Sequence, residues 1–311
     1  MRLFAYEDPD DGPALGFVEA GGRIVPLPSY SLIPELIRED GLADLRRQVT
    51  PLAGAVGLPR SSLLPLPAVD ADKIVCVGLN YRDHVAEGAG REVPDRPLLF
   101  AKFANSLVAD GEPIVRPEGT HALDLEVELG VVIGRKARRV EVADAMSHVA
   151  GYVVVNDISA RDWQGNSAAL REGEKGDGQW LRAKASDTFL PMGPDFVTTD
   201  ELDPAAGLSL RSWRIPGPGR PGAGDPQLMQ DGTTSDMIFR VAELIVFISR
   251  AITLDPGDVI ATGTPAGVGV FRDPPIFLEP GDRVRCEIEG IGSVENPVVA
   301  WSDAAVVAAH R

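Results

Sequence analysis

Asp124-Leu125-Glu126-Val127-Glu128-Leu129-Gly130-Val131-Val132-Ile133-Gly134 is the stretch on which the reading of this chain turns. Leu125, Val127, Leu129, Val131 and Ile133 are apolar, while Asp124, Glu126 and Glu128 fall on the other parity. A period of two in a Val/Ile-rich run predicts a β-strand with one buried face. The rise per residue sets next-but-one side chains roughly 7 Å apart, so the three carboxylates share one side. Like charges crowded in this way repel one another. The pattern therefore points to a positive group held among them.

Composition sets the outer bounds. A chain of 311 residues can bury a large core and is long enough for two domains. A net charge of −16 argues against nucleic acid and anionic membrane as partners, since both need a basic patch. Cys76 and Cys286 sit in apolar, strand-like runs and read as buried thiols rather than a disulfide framework. The first residues, Met1 to Asp8, meet acid before any apolar run, which does not read as a signal peptide. No uncharged apolar stretch approaches membrane-spanning length. These features give the expectation of a cytoplasmic protein.

Outward from the acidic strand, residues 1–69 read as a small N-terminal β domain with a Pro-rich linker, and 70–311 as the main domain. Leu3 to Tyr6, Leu15 to Glu19 and Arg23 to Leu27 are expected strands, followed by a helical stretch from about Ile33 to Val49. Pro59, Pro65 and Pro67 make Leu58 to Val69 an extended linker. The main domain opens with a continuous apolar strand, Lys73 to Leu79, then a helix that Asn80 is placed to cap. On that helix His84 and Glu87 are three residues apart, which suits a base oriented by a carboxylate. Spacing alone favours an exposed ion pair. Gly151 to Ser159 is a further buried strand, and Asp157 near its end either caps a turn or reaches into a site. Residues 164–180 are too irregular for an element and read as a surface loop or a lid. Pro216 to Pro226 reads as a flexible insertion, and 235–254 as the strongest helix, capped by Thr234 or Ser235. The turn Gly263-Thr264-Pro265-Ala266-Gly267-Val268-Gly269 can cradle an anion with backbone N–H groups, but lacks the P-loop ending. Residues 281–298 read as paired strands.

Were Glu126, Glu128 and Asp157 to converge, they would offer three carboxylates and no thiolate. Only four histidines exist, none in zinc-like clusters. Hard oxygen donors suit Mg²⁺, Mn²⁺ or Ca²⁺. The bland alternatives are acids on a solvated strand and, for Lys184, a surface lysine.

Taken together, the motifs resemble the fumarylacetoacetate hydrolase family across roughly residues 73 to 300. The resemblance is carried by Val77-Gly78-Leu79-Asn80-Tyr81 with Asp83-His84 and Glu87, by Phe100 with Lys102, and by Glu126-Val127-Glu128-Leu129 with Val132-Ile133-Gly134. It continues through Gly151-Tyr152, Asn156-Asp157-Ile158-Ser159-Ala160-Arg161-Asp162 with Gln164, and Lys184 with Asp187-Thr188-Phe189. Gly193-Pro194, Gln230, and Pro256-Gly257-Asp258 through Gly263-Thr264-Pro265 to Gly269 complete it. Three departures stand out: Ser186 where relatives often carry an aromatic, Leu125 in place of a frequent Tyr, and Asp225-Pro226-Gln227 in place of Asn-Gly-Glu.

The resemblance implies a mixed, predominantly β fold with a β-sandwich or β-roll core, in a homodimer. It implies Glu126, Glu128 and Asp157 as ligands of Mg²⁺ or Mn²⁺, and His84 with Glu87 as a base dyad on a segment that closes over substrate. Lys184 would hold developing negative charge, and Arg161, Gln164 and Thr264 would contact a small 2-oxo or diketo acid. The expected activity is hydrolysis of a carbon–carbon bond in an acylpyruvate or 1,3-diketo acid through a metal-held enolate. Beside it stand decarboxylation of an oxaloacetate-like acid and isomerisation or hydration of a 2-oxo-enoic acid, which use the same enolate. From a different class stands a non-catalytic scaffold in which the acids clip a structural Ca²⁺.

Overall fold

The structure is a computed structural model that describes residues 1–27, 30–38, 57–88 and 92–306, together with the single positions 42, 45 and 47. Its centre is a ten-stranded sheet. In spatial order the strands are Ile24–Leu27, Gly12–Val18, Arg2–Asp8, Asp195–Thr198, Val149–Asn156, Val127–Ile133, Val259–Ala261, Ile74–Gly78 and Leu98–Lys102, with Leu64–Pro65 paired to Arg2–Asp8. A second sheet runs Gln227–Thr233, Ser209–Ile215, Arg283–Ile288, Gly292–Ala300, Ile114–Arg116. The architecture is mixed α/β and predominantly β, as expected.

The decisive stretch is two strands rather than one. Leu123–Asp124 pairs with Ser159–Ala160 in a small separate ladder, and Val127–Ile133 enters the large sheet. All seven residues of Val127–Ile133 are buried, so the expectation of one buried and one solvated face is corrected. The cause is that the sheet is covered on both sides. Val127, Leu129, Val131 and Ile133 pack into a core with Leu210, Cys286, Ile288 and Val294 of the second sheet and with Leu244, Ile245 and Ile248. Val132, on the opposite face, packs with Val153, Val155, Leu3, Leu15 and Leu36. Period-two patterning marks which residues share a face, but not whether the polar face meets water.

The N-terminal strands continue the same sheet through the pairing of Arg2–Asp8 with Asp195–Thr198. The Pro-rich stretch after them lies against that sheet rather than spanning a gap. Leu58 exchanges backbone bonds with Ile24, Leu64–Pro65 forms a strand, and Ala68 and Val69 are buried. Helix Ile33–Arg38 is the described part of the helical stretch expected to Val49; most of the remainder lies outside the described residues.

Three further expectations change. The long helix is Val241–Ser249 only, and neither Thr234 nor Ser235 caps it. Its N-terminus is closed by Glu243, whose Oε2 accepts the Arg240 N–H (2.7 Å). The preceding backbone is claimed by the turn at Asn80: Ile238 N–H donates to Asn80 O (2.7 Å) and Phe239 N–H to Asn80 Oδ1 (2.8 Å). Asn80 is therefore not the cap of the helix Arg82–Glu87. Its amide also donates to Thr262 O (2.7 Å), so it staples three chain segments. The 216–226 insertion is pinned: Gly217 N–H, Arg214 Nε and Arg220 Nη1 all converge on the buried Asp282 carboxylate at 2.8–2.9 Å.

Candidate active site

Strand register brings the acids together. Val127 pairs with Asn156 and Glu128 with Val155. Side chains alternate along each strand, so Glu128 on one strand and Asp157, just beyond the end of the other, lie on a common face with Glu126. Two bonds lock the join: Glu126 N–H to Asn156 Oδ1 (3.0 Å) and Asp157 N–H to Glu126 O (2.9 Å). Glu126, Glu128 and Asp157 thus present one oxygen each within 4.8 Å of one another, all buried. Asp124, of the same parity in sequence, is not among them, because the chain breaks from its strand between Asp124 and Val127.

Three cations surround these acids. Lys184 Nζ bridges Glu126 Oε2 (2.8 Å) and Asp157 Oδ2 (2.7 Å). Arg161 Nη2 lies 2.6 Å from Glu126 Oε1, and its Nε donates to Asp124 Oδ2 (2.9 Å). Lys102 lies 2.7 Å from Asp157 Oδ1 and donates to the carbonyls of Ile158 (3.1 Å), Phe189 (2.7 Å) and Lys184. Glu128 makes no ion pair among the described residues; its Oε2 accepts the Gly263 N–H (2.8 Å). Burial pushes the Glu128 carboxyl well above the usual range, and the charges of Asp157 and Glu126 push it further. Glu126 goes the other way. Burial would raise it, but Lys184 and Arg161 outweigh burial and hold it well below. Lys184 is likewise raised: burial opposes its charge, and Asp157 and Glu126 more than restore it. Counting Asp124, four buried carboxylates face three cations, and Glu128 is the one left without a countercharge. An uncompensated buried carboxylate is costly. An all-oxygen donor set short of positive charge fits a hard divalent cation.

His84 is not the exposed ion-pair partner that spacing favoured. It is 6% exposed, and its Nδ1 lies 2.9 Å from Glu87 Oε2. A carboxylate at Nδ1 fixes the proton there and frees Nε2. The helix Arg82–Glu87 is fastened to the Gly-rich turn: Asp83 Oδ2 accepts the Ala266 N–H (3.1 Å) and Glu87 Oε1 the Gly267 N–H (2.7 Å). The same turn supplies Gly263 N–H to Glu128, and Gly269 and Val270 N–H to Asp124 (2.7 and 3.1 Å). The turn is the anion cradle its sequence suggested, and the anions are the protein's own carboxylates.

A cavity of about 260 Å³ opens here, lined by His84, Glu126, Glu128, Arg161, Gln164, Lys184 and Thr264. Glu87 and Asp157 lie just behind them. Lys184, expected by default at the surface, is 2% exposed. Thr264 donates to Val127 O (2.9 Å) and accepts from Gln230 (2.7 Å). Leu98, Phe100, Trp180 and Phe271 add apolar lining, with Phe271 beside the His84 ring at 5.8 Å. Trp180 meets Phe100 edge-on at 5.7 Å, and Lys184 Nζ sits 4.9 Å from the Phe100 centroid. Lys102 and this lining carried no role in the sequence reading. The available signal for Lys102 was a lysine closing the apolar run Leu98 to Ala101, where a surface charge is out of place.

Residues 73–299 match the fumarylacetoacetate (FAA) hydrolase C-terminal family. The chain belongs to the fumarylacetoacetate hydrolase family. Among its relatives is human "oxaloacetate tautomerase FAHD2A, mitochondrial", 42% identical over 96% of this chain and 92% of that one. Similar solved structures include the 2-hydroxyhepta-2,4-diene-1,7-dioate isomerase of Mycobacterium marinum, 34% identical over 97% of this chain and 99% of that one, TM-score 0.70. Another is the fumarylacetoacetate hydrolase of Exiguobacterium antarcticum, 32% identical over 96% and 99%, TM-score 0.75. Tautomerase and isomerase fall within the alternatives carried beside hydrolysis, and this family member is an enzyme rather than a scaffold. The expectation of a cytoplasmic protein is corrected: vertebrate relatives 41–42% identical are mitochondrial. Among the described residues no helix is long and apolar enough to cross a membrane, an observation that bears on no particular compartment.

Proposed function

We propose that this enzyme interconverts keto and enol forms of a small 2-oxo acid of the oxaloacetate type. The observation that carries the reading is the convergence of a carboxylate triad, a carboxylate-oriented histidine and a buried lysine on one small cavity. The 42% identical tautomerase relative supports the choice of substrate. Glu126, Glu128 and Asp157 are the proposed ligands of Mg²⁺ or Mn²⁺, which when bound would supply Lewis-acid polarisation of the 2-oxo group.

The remaining steps belong to the protein. Arg161 and Gln164 bind the carboxylate next to the 2-oxo group, and Thr264 contacts an oxo oxygen. His84 Nε2 takes a proton from C3 while Glu87 holds the Nδ1–H and balances the imidazolium. The C3–H electron pair becomes the C2–C3 double bond, and charge moves onto the 2-oxo oxygen. The Lys184 ammonium sits beside that oxygen and stabilises it. Return of the proton from His84 to oxygen gives the enol, and return to C3 gives the keto acid.

A second reading, hydrolytic C–C cleavage of an acylpyruvate, is favoured by the apolar lining of Leu98, Phe100, Trp180 and Phe271, which suits an acyl tail. The homodimer implied by the family remains part of the proposal, tested by light scattering. The division at residues 69 and 70 is proposed as one of chemistry, since every proposed site residue lies in 70–311. The test of function is the decay of freshly dissolved enol-oxaloacetate, followed by ultraviolet absorbance with Mg²⁺ or Mn²⁺. Acceleration over the metal-only rate is expected. Its absence, with acylpyruvate cleaved instead, would favour the second reading.

A further inference from the structure

The parity that marked three acids in sequence leaves Asp124 outside the triad, and its surroundings assign it other work. It is 1% exposed and accepts four N–H groups. Oδ1 takes Leu125 N–H (2.9 Å) and Gly269 N–H (2.7 Å); Oδ2 takes Val270 N–H (3.1 Å) and Arg161 Nε–H (2.9 Å). Every contact is a donor, so the position requires a group that only accepts. Arg161 has a second carboxylate at Glu126 and a weaker contact to Gln164 Oε1 (3.3 Å). Without Asp124, the long contact to Gln164 Oε1 is all that opposes a turn of the guanidinium wholly onto Glu126 among the described residues. With it, the fork is held at Nε and spans both acids.

We infer that Asp124 is a positioning residue: anchored by the Gly269–Val270 backbone, it aims Arg161 at the carboxylate of the 2-oxo acid. The inference rests on the reading of Arg161 as the substrate's carboxylate partner. Through Asp124, the loop that bears Thr264 and fastens His84's helix also fixes the guanidinium, so one element registers three parts of the site.

The test uses D124N, R161Q and the double variant as Mg²⁺-loaded enzymes with oxaloacetate. Asparagine keeps the shape of Asp124 but turns two amide hydrogens toward N–H donors. KM for D124N should rise at least tenfold with kcat within about threefold of wild type, and Mn²⁺ affinity by calorimetry should stay within about threefold. In the double variant KM should be no higher than in R161Q, because both changes remove the same interaction. An unchanged KM in D124N, or KM increments that multiply in the double variant, would overturn the inference. Val270→Pro deletes one donor while leaving the carboxylate; it should raise KM by a smaller factor, and an unchanged KM there counts against the proposal if D124N does not fold. Wild-type enzyme without activity on oxaloacetate, or R161Q with normal KM, would instead remove the underlying functional reading.

Discussion

At the scale of the residue, Glu128 has the least support of the buried acids. Among the described residues its one hydrogen-bond partner is the Gly263 N–H, and the charges of Asp157 and Glu126 act on it. Glu128→Gln keeps an acceptor for Gly263 and removes the charge. In chelator-treated protein this variant should be more stable than wild type by about 1 kcal/mol, as replacement of poorly compensated buried charge often is; denaturant titration checks it, and a loss of stability would mean the charge is already balanced. His84→Ala should lower kcat by on the order of 10² if His84 is the general base, measured by the enol-decay assay. These two residues also mark the limits of the sequence. Parity set Glu126 and Glu128 on one side together with Asp124, and an i,i+3 spacing set His84 within reach of Glu87; the proposed roles came from the family resemblance. Burial was not legible, because a histidine 6% exposed and a surface histidine have the same spacing.

At the scale of the element, the turn Gly263–Gly269 decides more than any helix. Glycine after an apolar strand suggested a nest for an anion, which is correct in geometry. No local pattern indicates that the anions are Glu128, Asp83, Glu87 and Asp124 from distant segments. Gly263 has φ +96°, and a Cβ there would lie 2.8 Å from Asn80 Cβ and 3.0 Å from Val77 O. Gly263→Ala should therefore cost about 2 kcal/mol or more of stability and slow turnover, since strain and contact fall on the donor to Glu128. Thermal unfolding and steady-state kinetics would show it; a variant of wild-type stability would mean the turn relaxes freely. The shortened helix at Val241–Ser249 has the same lesson. Helical periodicity runs back to Met237, but Asn80 takes the N–H groups of Ile238 and Phe239. A long-range partner outbids local propensity there.

At the scale of the whole molecule, the second sheet with helix Val241–Ser249 on one side, and a core including Leu3, Leu15 and Leu36 on the other, bury both faces of the strand that holds Glu128. That depth accounts for the ordering of carboxylates and cations, because charges so far from water must be paired or supplied with a counterion. The paired C-terminal strands were legible in the sequence itself, and the predominantly β class through the family resemblance. The continuity of the sheet across the Pro-rich stretch was not, because pairing between Arg2–Asp8 and Asp195–Thr198 joins residues nearly two hundred apart. A cation that binds only the folded protein stabilises it by about 2.7 kcal/mol at a hundredfold excess over its dissociation constant. Chelator treatment should therefore lower the melting temperature relative to Mg²⁺-loaded enzyme, and readdition of Mg²⁺ or Mn²⁺ should restore it.

Calorimetric titration of Mn²⁺ into chelator-treated wild-type protein and into Glu128→Gln probes the carboxylate site itself. A cation shared by the three carboxylates gives one ion per chain for wild type and an affinity at least tenfold weaker in the variant. Equal affinity in the two proteins, or no binding to either, would contradict the shared-cation site at Glu126, Glu128 and Asp157.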